Sequence, residues 1–238
     1  MFKGVSCLRG ADKKEERSSG PKYSYDKKVE RTLRQWERLA ERKRFLVHGV
    51  SLDKFENGPL SKYPAEEVFK GWDVFSTSLI DLKRIARNRH RDQTKGGDRY
   101  TQLFGEVGLL LEVPAQNILG AFPQDVLFPT HFRSKGFAFA DAIFNGTSKF
   151  GWIKMVDRYN KVLSPDEVAG KTLLHNEVLV VGKLNVKMYF PLTQAIKVVG
   201  ILYAPRCVGG GLRQMNFERM VLLSRLRQLN PGLDIFIV

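Results

Sequence analysis

The chain has 238 residues, 39 Lys+Arg against 25 Asp+Glu for a formal charge of +14, and 43% hydrophobic residues. That much apolar material excludes a wholly disordered chain, and the length suits one large domain behind a basic leader. No apolar stretch reaches the ~18 residues of a membrane helix, no hydrophobic export segment opens the chain, and Cys7 and Cys207 form neither a C-x-x-C pair nor a disulfide framework, which points to a soluble protein in a reducing cytoplasm. A surface this basic attracts phosphates, nucleic acid or anionic membranes without choosing among them.

Residues 1–25 mix Lys, Glu, Ser and Gly with few branched apolar side chains and read as a flexible basic arm, leaving 26–238 as a single domain. From Asp26 the pattern turns helical. Val29, Leu33, Trp36 and Leu39 or Ala40 share one face while Arg31, Arg34, Arg38 and Arg42 point elsewhere, which predicts a basic amphipathic helix ending near Arg44. Short apolar runs then predict strands over 45–50, 74–79, 109–113, 177–181, 195–202 and 235–238. A helix is expected from Leu82 into the cluster Arg84, Arg87, Arg89 and Arg91. The Phe-, Pro- and Asn-rich stretch 114–174 is the least regular, with a short strand or helix at 137–140, and its aromatics are expected to pack. Near the end Met215, Phe217, Met220, Val221, Leu222 or Leu223, Leu226 and Leu229 outline an amphipathic helix that Asn230-Pro231-Gly232 stops. Many strands and few long helices argue for an α+β or mainly β sandwich. Neither an internal repeat nor a G-x-G-x-x-G or P-loop motif is present, so any nucleotide must be gripped another way.

Three separated pieces put polar groups on otherwise apolar strands: His48-Gly49, Ser76-Thr77-Ser78, and Glu177 at the head of Val178-Leu179-Val180-Val181. Each alone has a structural reading. The histidine suits a satisfied core imidazole, the hydroxyl run with Asp81 suits a helix cap, and the glutamate suits a strand edge. A carboxylate opening such a run is desolvated unless it faces a cleft, so Glu177 is expected to have partners. His90 and His131 show no metal-ligand spacing, and no metal is expected.

Together, in order and spacing, the pieces resemble the ADP-ribosyltransferase superfamily of NAD-consuming toxins and related enzymes. Its pattern is an Arg or His on a first strand, often followed by Gly, then a Ser-Thr-Ser strand, then a Glu that starts a late strand. LVHGVS at 46–51, VFSTSL at 74–79 and HNEVLV at 175–180 look like these three motifs. GLLLEVPAQNIL at 108–119 and IKVVGILY at 196–203 are similar to the strands that come after the second and third. The resemblance implies an α+β fold of the split β-sandwich type with an N-terminal basic helix. It also implies NAD as substrate, and transfer of ADP-ribose to a macromolecular acceptor with release of nicotinamide. Glu177 would stabilise the oxocarbenium-like ribose through its 2′-hydroxyl and help deprotonate the acceptor. Ser76 would orient Glu177 and the ribose, with Thr77 or Ser78 in support. His48 and Gly49 would contact the adenine-side ribose or the nicotinamide amide, and Arg44 is a cation for the pyrophosphate. His175 stands where toxins that modify arginine or asparagine carry Glu or Gln, so their acceptor preference does not carry over.

Lys83, Arg84, Arg87, Arg89, Arg91, Lys95 and Arg99 make a second cationic stretch, with Tyr100, Trp72 and Phe104 available for base stacking. The acceptor is expected to be a protein first, or RNA or DNA. The alternative class is a non-enzymatic basic nucleic-acid-binding protein, whose binding would depend steeply on salt and which would not consume NAD. The resemblance further implies a toxin-like or effector-like protein acting in a cytoplasm, delivered without a signal peptide, with an inhibitor or immunity protein among its partners.

Overall fold

The first helix stops earlier than its apolar stripe suggests. The computed structural model describes residues 27–50, 58–82, 106–123, 162–170, 176–188, 191–205, 207–208, 212–213 and 217–238. Helix α1 covers Lys27–Glu37, and a 3-10 turn follows at Ala40–Arg42. Lys43 then adopts a left-handed backbone, φ 56°, and delivers the chain into strand β1, Arg44–Gly49. A residue in that conformation ends helical propagation whatever the side-chain periodicity. Within the stripe Leu33 and Trp36 are buried, Leu39 is half-buried and Ala40 is exposed, and the Trp36 indole N–H donates to the Leu163 carbonyl at 3.0 Å. Arg31, Arg34 and Arg38 are exposed, with Arg34 paired to Glu30 one turn earlier. The arm at 1–25, the Arg-rich helix after Leu82, the cationic stretch 83–99 and the element at 137–140 lie outside the described residues.

Strands β2 (Val74–Asp81), β3 (Val107–Glu112), β4 (Ile118–Phe122), β5 (Glu177–Val181), β6 (Lys197–Tyr203) and β9 (Ile235–Ile237) join β1 in a seven-strand sheet of order β4-β5-β2-β1-β3-β6-β9. The short strands β7 (Cys207–Val208) and β8 (Leu212–Arg213) pair separately. Neighbours in the large sheet run antiparallel except β6 and β9, which are parallel. With helices α2 (Ala65–Gly71), α3 (Pro165–Gly170) and α4 (Phe217–Leu229), the described residues form a mixed α+β fold. The strands read from the sequence are present within two residues at each end. β4, α2 and α3 are not among the elements read from it. β4 and α3 fall in the stretch read as irregular, and at five and six residues each is too short to display a period.

β2 has an unusual pairing. Its first half, Val74 to Thr77, pairs with Val181 to Val178 of β5, and its second half, Ser78 to Asp81, pairs with Val47 to Arg44 of β1. The strand thus exchanges one neighbour for the other between Thr77 and Ser78.

Both faces of the central strands are apolar. On one, Leu46, Phe75, Leu79 and Ile201 belong to a large core with Trp36 of α1, Phe69 of α2 and Leu222 and Leu226 of α4. Val47, Ile80, Leu110, Leu202 and Ala204 form a second, smaller cluster. Strands covered on both sides read as continuous apolar runs, which is why they are legible, and each buried Leu, Ile or Phe stabilises by about 1.5–3 kcal/mol. In α4 the apolar stripe of the sequence divides: Leu222, Leu223 and Leu226 are buried, whereas Phe217, Met220 and Val221 are exposed. Asn230 closes α4 by donating from Nδ2 to the Leu226 carbonyl at 2.8 Å, and its Oδ1 accepts the Ala65 N–H at 2.8 Å, capping α2. Among the described residues, no helix is long and apolar enough to cross a membrane.

Candidate active site

The three sequence motifs lie on neighbouring strands around the point where β2 changes partners. His48 sits near the end of β1, Ser76 and Thr77 in β2, and Glu177 at the head of β5, so the three pieces occupy the adjacent strands β1, β2 and β5. The backbone pairing of β1 with β2 ends at Val47 and Ser78. Past it, the His48 imidazole continues the connection, with Nδ1 2.9 Å from the Ser76 carbonyl oxygen. A carbonyl only accepts, so Nδ1 carries the hydrogen.

The imidazole packs edge-on against three rings: Trp72 at 5.2 Å, Phe75 at 5.5 Å and Phe69 at 5.8 Å between centroids. Phe69 and Phe75 stack on each other at 4.8 Å with 12° between their planes. Such pairs add about 0.5–1.5 kcal/mol beyond the area they bury. This cage brings the end of α2 onto β2 and makes His48 a well-packed side chain.

Glu177 is 2% exposed. The register sets Ser76 opposite Leu179 and Thr77 opposite Val178, where the ladder ends, so that its continuation by one step would bring Ser78 level with Glu177. Strand alternation therefore places the side chains of Ser76, Ser78, Leu179 and Glu177 on one face and those of Phe75, Thr77 and Val178 on the other. Phe75, the ring His48 packs on, belongs to the second set, so the imidazole reaches the first through the Ser76 main chain. Ser78, named in the sequence only as support, shares the Glu177 face just past the end of the β2–β5 ladder. Thr77 is committed to the fold: its hydroxyl donates to the Val178 carbonyl at 2.9 Å. Gly49 ends β1 opposite Gly108 of β3.

Arg44 stands at the far end of β1, four residues from His48 and so about 13 Å along the strand. Its guanidinium lies between two carboxylates, with Nη1 2.6 Å from Asp166 Oδ1 and Nε 3.8 Å from Asp81 Oδ2. Arg42 joins from outside, Nη1 3.2 Å from Asp166 Oδ2. The hydrogen bond from Arg44, reinforced by that from Arg42, holds the Asp166 carboxyl below the ordinary carboxylate range against a smaller opposing effect of desolvation. The structure thus puts Ser76 and Glu177 on one face and Thr77 with the His48 imidazole on the other, so that the imidazole reaches the Glu177 side through the Ser76 main chain, and it sets Arg44 apart in an ion-pair cluster.

Sequence reasoning missed two groups. The first is the ring cage of Phe69, Trp72 and Phe75: Trp72, named in the sequence for base stacking, packs on His48, Phe69 and Phe75, and three aromatics within seven residues were the signal for it. The second is Asn176, fully buried, whose carboxamide binds the backbone of Leu79 at 2.7 and 2.8 Å. A polar amide at the threshold of an apolar run was its only trace. His175 lies outside the described residues, and among those described no group of three His, Cys, Asp or Glu is arranged to hold a metal ion. The chain matches no protein-family model, no curated protein and no solved structure.

Proposed function

We propose that the protein is an NAD-dependent mono-ADP-ribosyltransferase of the toxin or effector kind, acting on a macromolecular acceptor, a protein before RNA or DNA. One observation carries the reading: the three motif pieces, up to 129 residues apart in sequence (Glu177 − His48), lie on three successive strands at the point where β2 exchanges β5 for β1. That exchange also supports a split β-sandwich as the finer description of the sheet. In the reaction, the bond between ribose C1′ and the nicotinamide nitrogen breaks and its electron pair leaves with neutral nicotinamide. The positive charge left on C1′ and the ring oxygen is stabilised by the Glu177 carboxylate through the 2′-hydroxyl. An acceptor hydroxyl, amine, or water then attacks C1′ and releases its proton to Glu177 or solvent. Ser76 and Ser78 share the Glu177 face and orient the carboxylate and the ribose. His48 acts through the Ser76 carbonyl, Gly49 allows close approach of the ligand to β1, and Arg44 draws the pyrophosphate if Asp166 yields its place.

Incubating the purified chain with NAD and measuring free nicotinamide tests this. Slow release is expected without any acceptor, and Glu177→Gln, which keeps the shape and removes the charge, lowers it by about 100-fold or more. No release from folded protein supplied with lysate as a source of activators sinks the reading in favour of the non-enzymatic binder. Labelled NAD offered to a lysate treated with ribonuclease or protease then identifies the acceptor class.

A further inference from the structure

The backbone ladder between β2 and β5 ends at Thr77 and Val178, one residue short of Glu177. Beyond it the side chain of Asn176 takes over. Its Oδ1 accepts the Leu79 backbone N–H at 2.7 Å and its Nδ2 donates to the Leu79 carbonyl at 2.8 Å, so one carboxamide meets both main-chain groups of a residue 97 positions away. Only a carboxamide offers a donor and an acceptor in the fork that a strand rung presents. Leu79 is itself paired with Leu46 of β1, and on the other side of Glu177 the Val178 carbonyl accepts the Thr77 hydroxyl at 2.9 Å. Glu177 is therefore flanked on both sides by residues that side-chain hydrogen bonds tie to β2.

We propose that Asn176 is a positioning residue for Glu177, setting the backbone from which the carboxylate projects toward the scissile bond. The inference rests on the ADP-ribosyltransferase reading above. Misplacing a reacting group by about 1 Å costs about 100-fold in rate. Loosening the rung therefore acts on turnover and leaves NAD affinity nearly unchanged.

The test uses the full chain with Asn176→Ala and Asn176→Asp, the second retaining the acceptor for Leu79 N–H while losing the donor. Nicotinamide release gives kcat and KM, and amide hydrogen exchange reads Leu79. In Asn176→Ala the Leu79 amide exchanges faster and kcat falls by about 10- to 100-fold while KM stays within about threefold. Asn176→Asp lies between it and wild type, and decides the matter if Asn176→Ala does not fold. Val180→Ala, a cavity in the same strand away from the rung, separates positioning from loss of stability. It lowers the melting temperature with kcat within about twofold of wild type. Wild-type turnover with kcat unchanged in both Asn176 variants, or an equal loss of kcat in Val180→Ala, overturns the positioning role alone. No nicotinamide release by the wild-type chain overturns the functional reading and this inference together.

Discussion

Gly182 shows at one residue how tightly the end of β5 is held. A Cβ there would stand 2.0 Å from the Phe69 carbonyl oxygen and 2.6 Å from that of Trp72, so the chain passes against the C-terminal turn of α2 with no room for a side chain. Lys183, next along, donates its N–H to that same Trp72 carbonyl at 2.8 Å. This approach anchors α2, whose end supplies Phe69 and Trp72 to the rings around His48. Gly182→Ala is expected to destabilise the protein by about 2 kcal/mol or more, because backbone rather than a flexible side chain must move. A urea midpoint equal to wild type would show that the approach is looser in solution. Nothing in the sequence singles out this glycine among 21. The imidazole of His48 was legible as a polar group on an apolar strand, but its hydrogen bond was not, because the acceptor is a main-chain carbonyl 28 residues away that carries no residue-type signal.

Between elements, the Arg44–Asp166 pair joins α3 to the start of β1, and the second carboxylate, Asp81, belongs to β2 opposite Arg44. Because the Asp166 carboxyl is held lower in the folded protein than in the unfolded chain, where it titrates near ~3.9, the pair contributes its stability above that value. It loses it as the pH falls through the lower folded one. The contribution is modest, since the Asp166 side chain is 58% exposed and water screens it. Asp166→Asn should therefore lower stability by a constant amount above about pH 5, with the difference from wild type closing as the pH falls below the unfolded-chain value and through the lower folded one. Chemical denaturation across that range decides it, and a difference that persists unchanged into acid would refute the pair as its source. The elements were unevenly legible. Strands buried on both faces announced themselves as apolar runs, whereas α2, α3 and β4 owe their form to what they pack on. In α4, periodicity marked the helix correctly but merged its buried stripe with the exposed Phe217, Met220 and Val221.

For the molecule as a whole, the charge of +14 acts over distances set by ionic strength. The protein should be retained by a polyanion such as heparin at about 0.05 M salt and released steeply as salt rises toward 0.5 M, with or without NAD. Retention insensitive to salt would mean that contacts other than charge hold it, and a strict requirement for NAD would tie binding to the proposed NAD site instead. Composition, charge and the runs of apolar residues were enough to place most of the strands and to narrow the chain to an α+β or mainly β fold, and to single out His48, Ser76 and Glu177 as polar groups placed against the pattern. Local periodicity reports which face a residue occupies and little else. Which strands neighbour one another, the exchange of partners along β2, the carboxamide of Asn176 on Leu79 and the pairing of Arg44 with Asp166 were decided only in three dimensions. These contacts join positions 97 and 122 residues apart, and register and packing, rather than any short stretch of chain, bring them together.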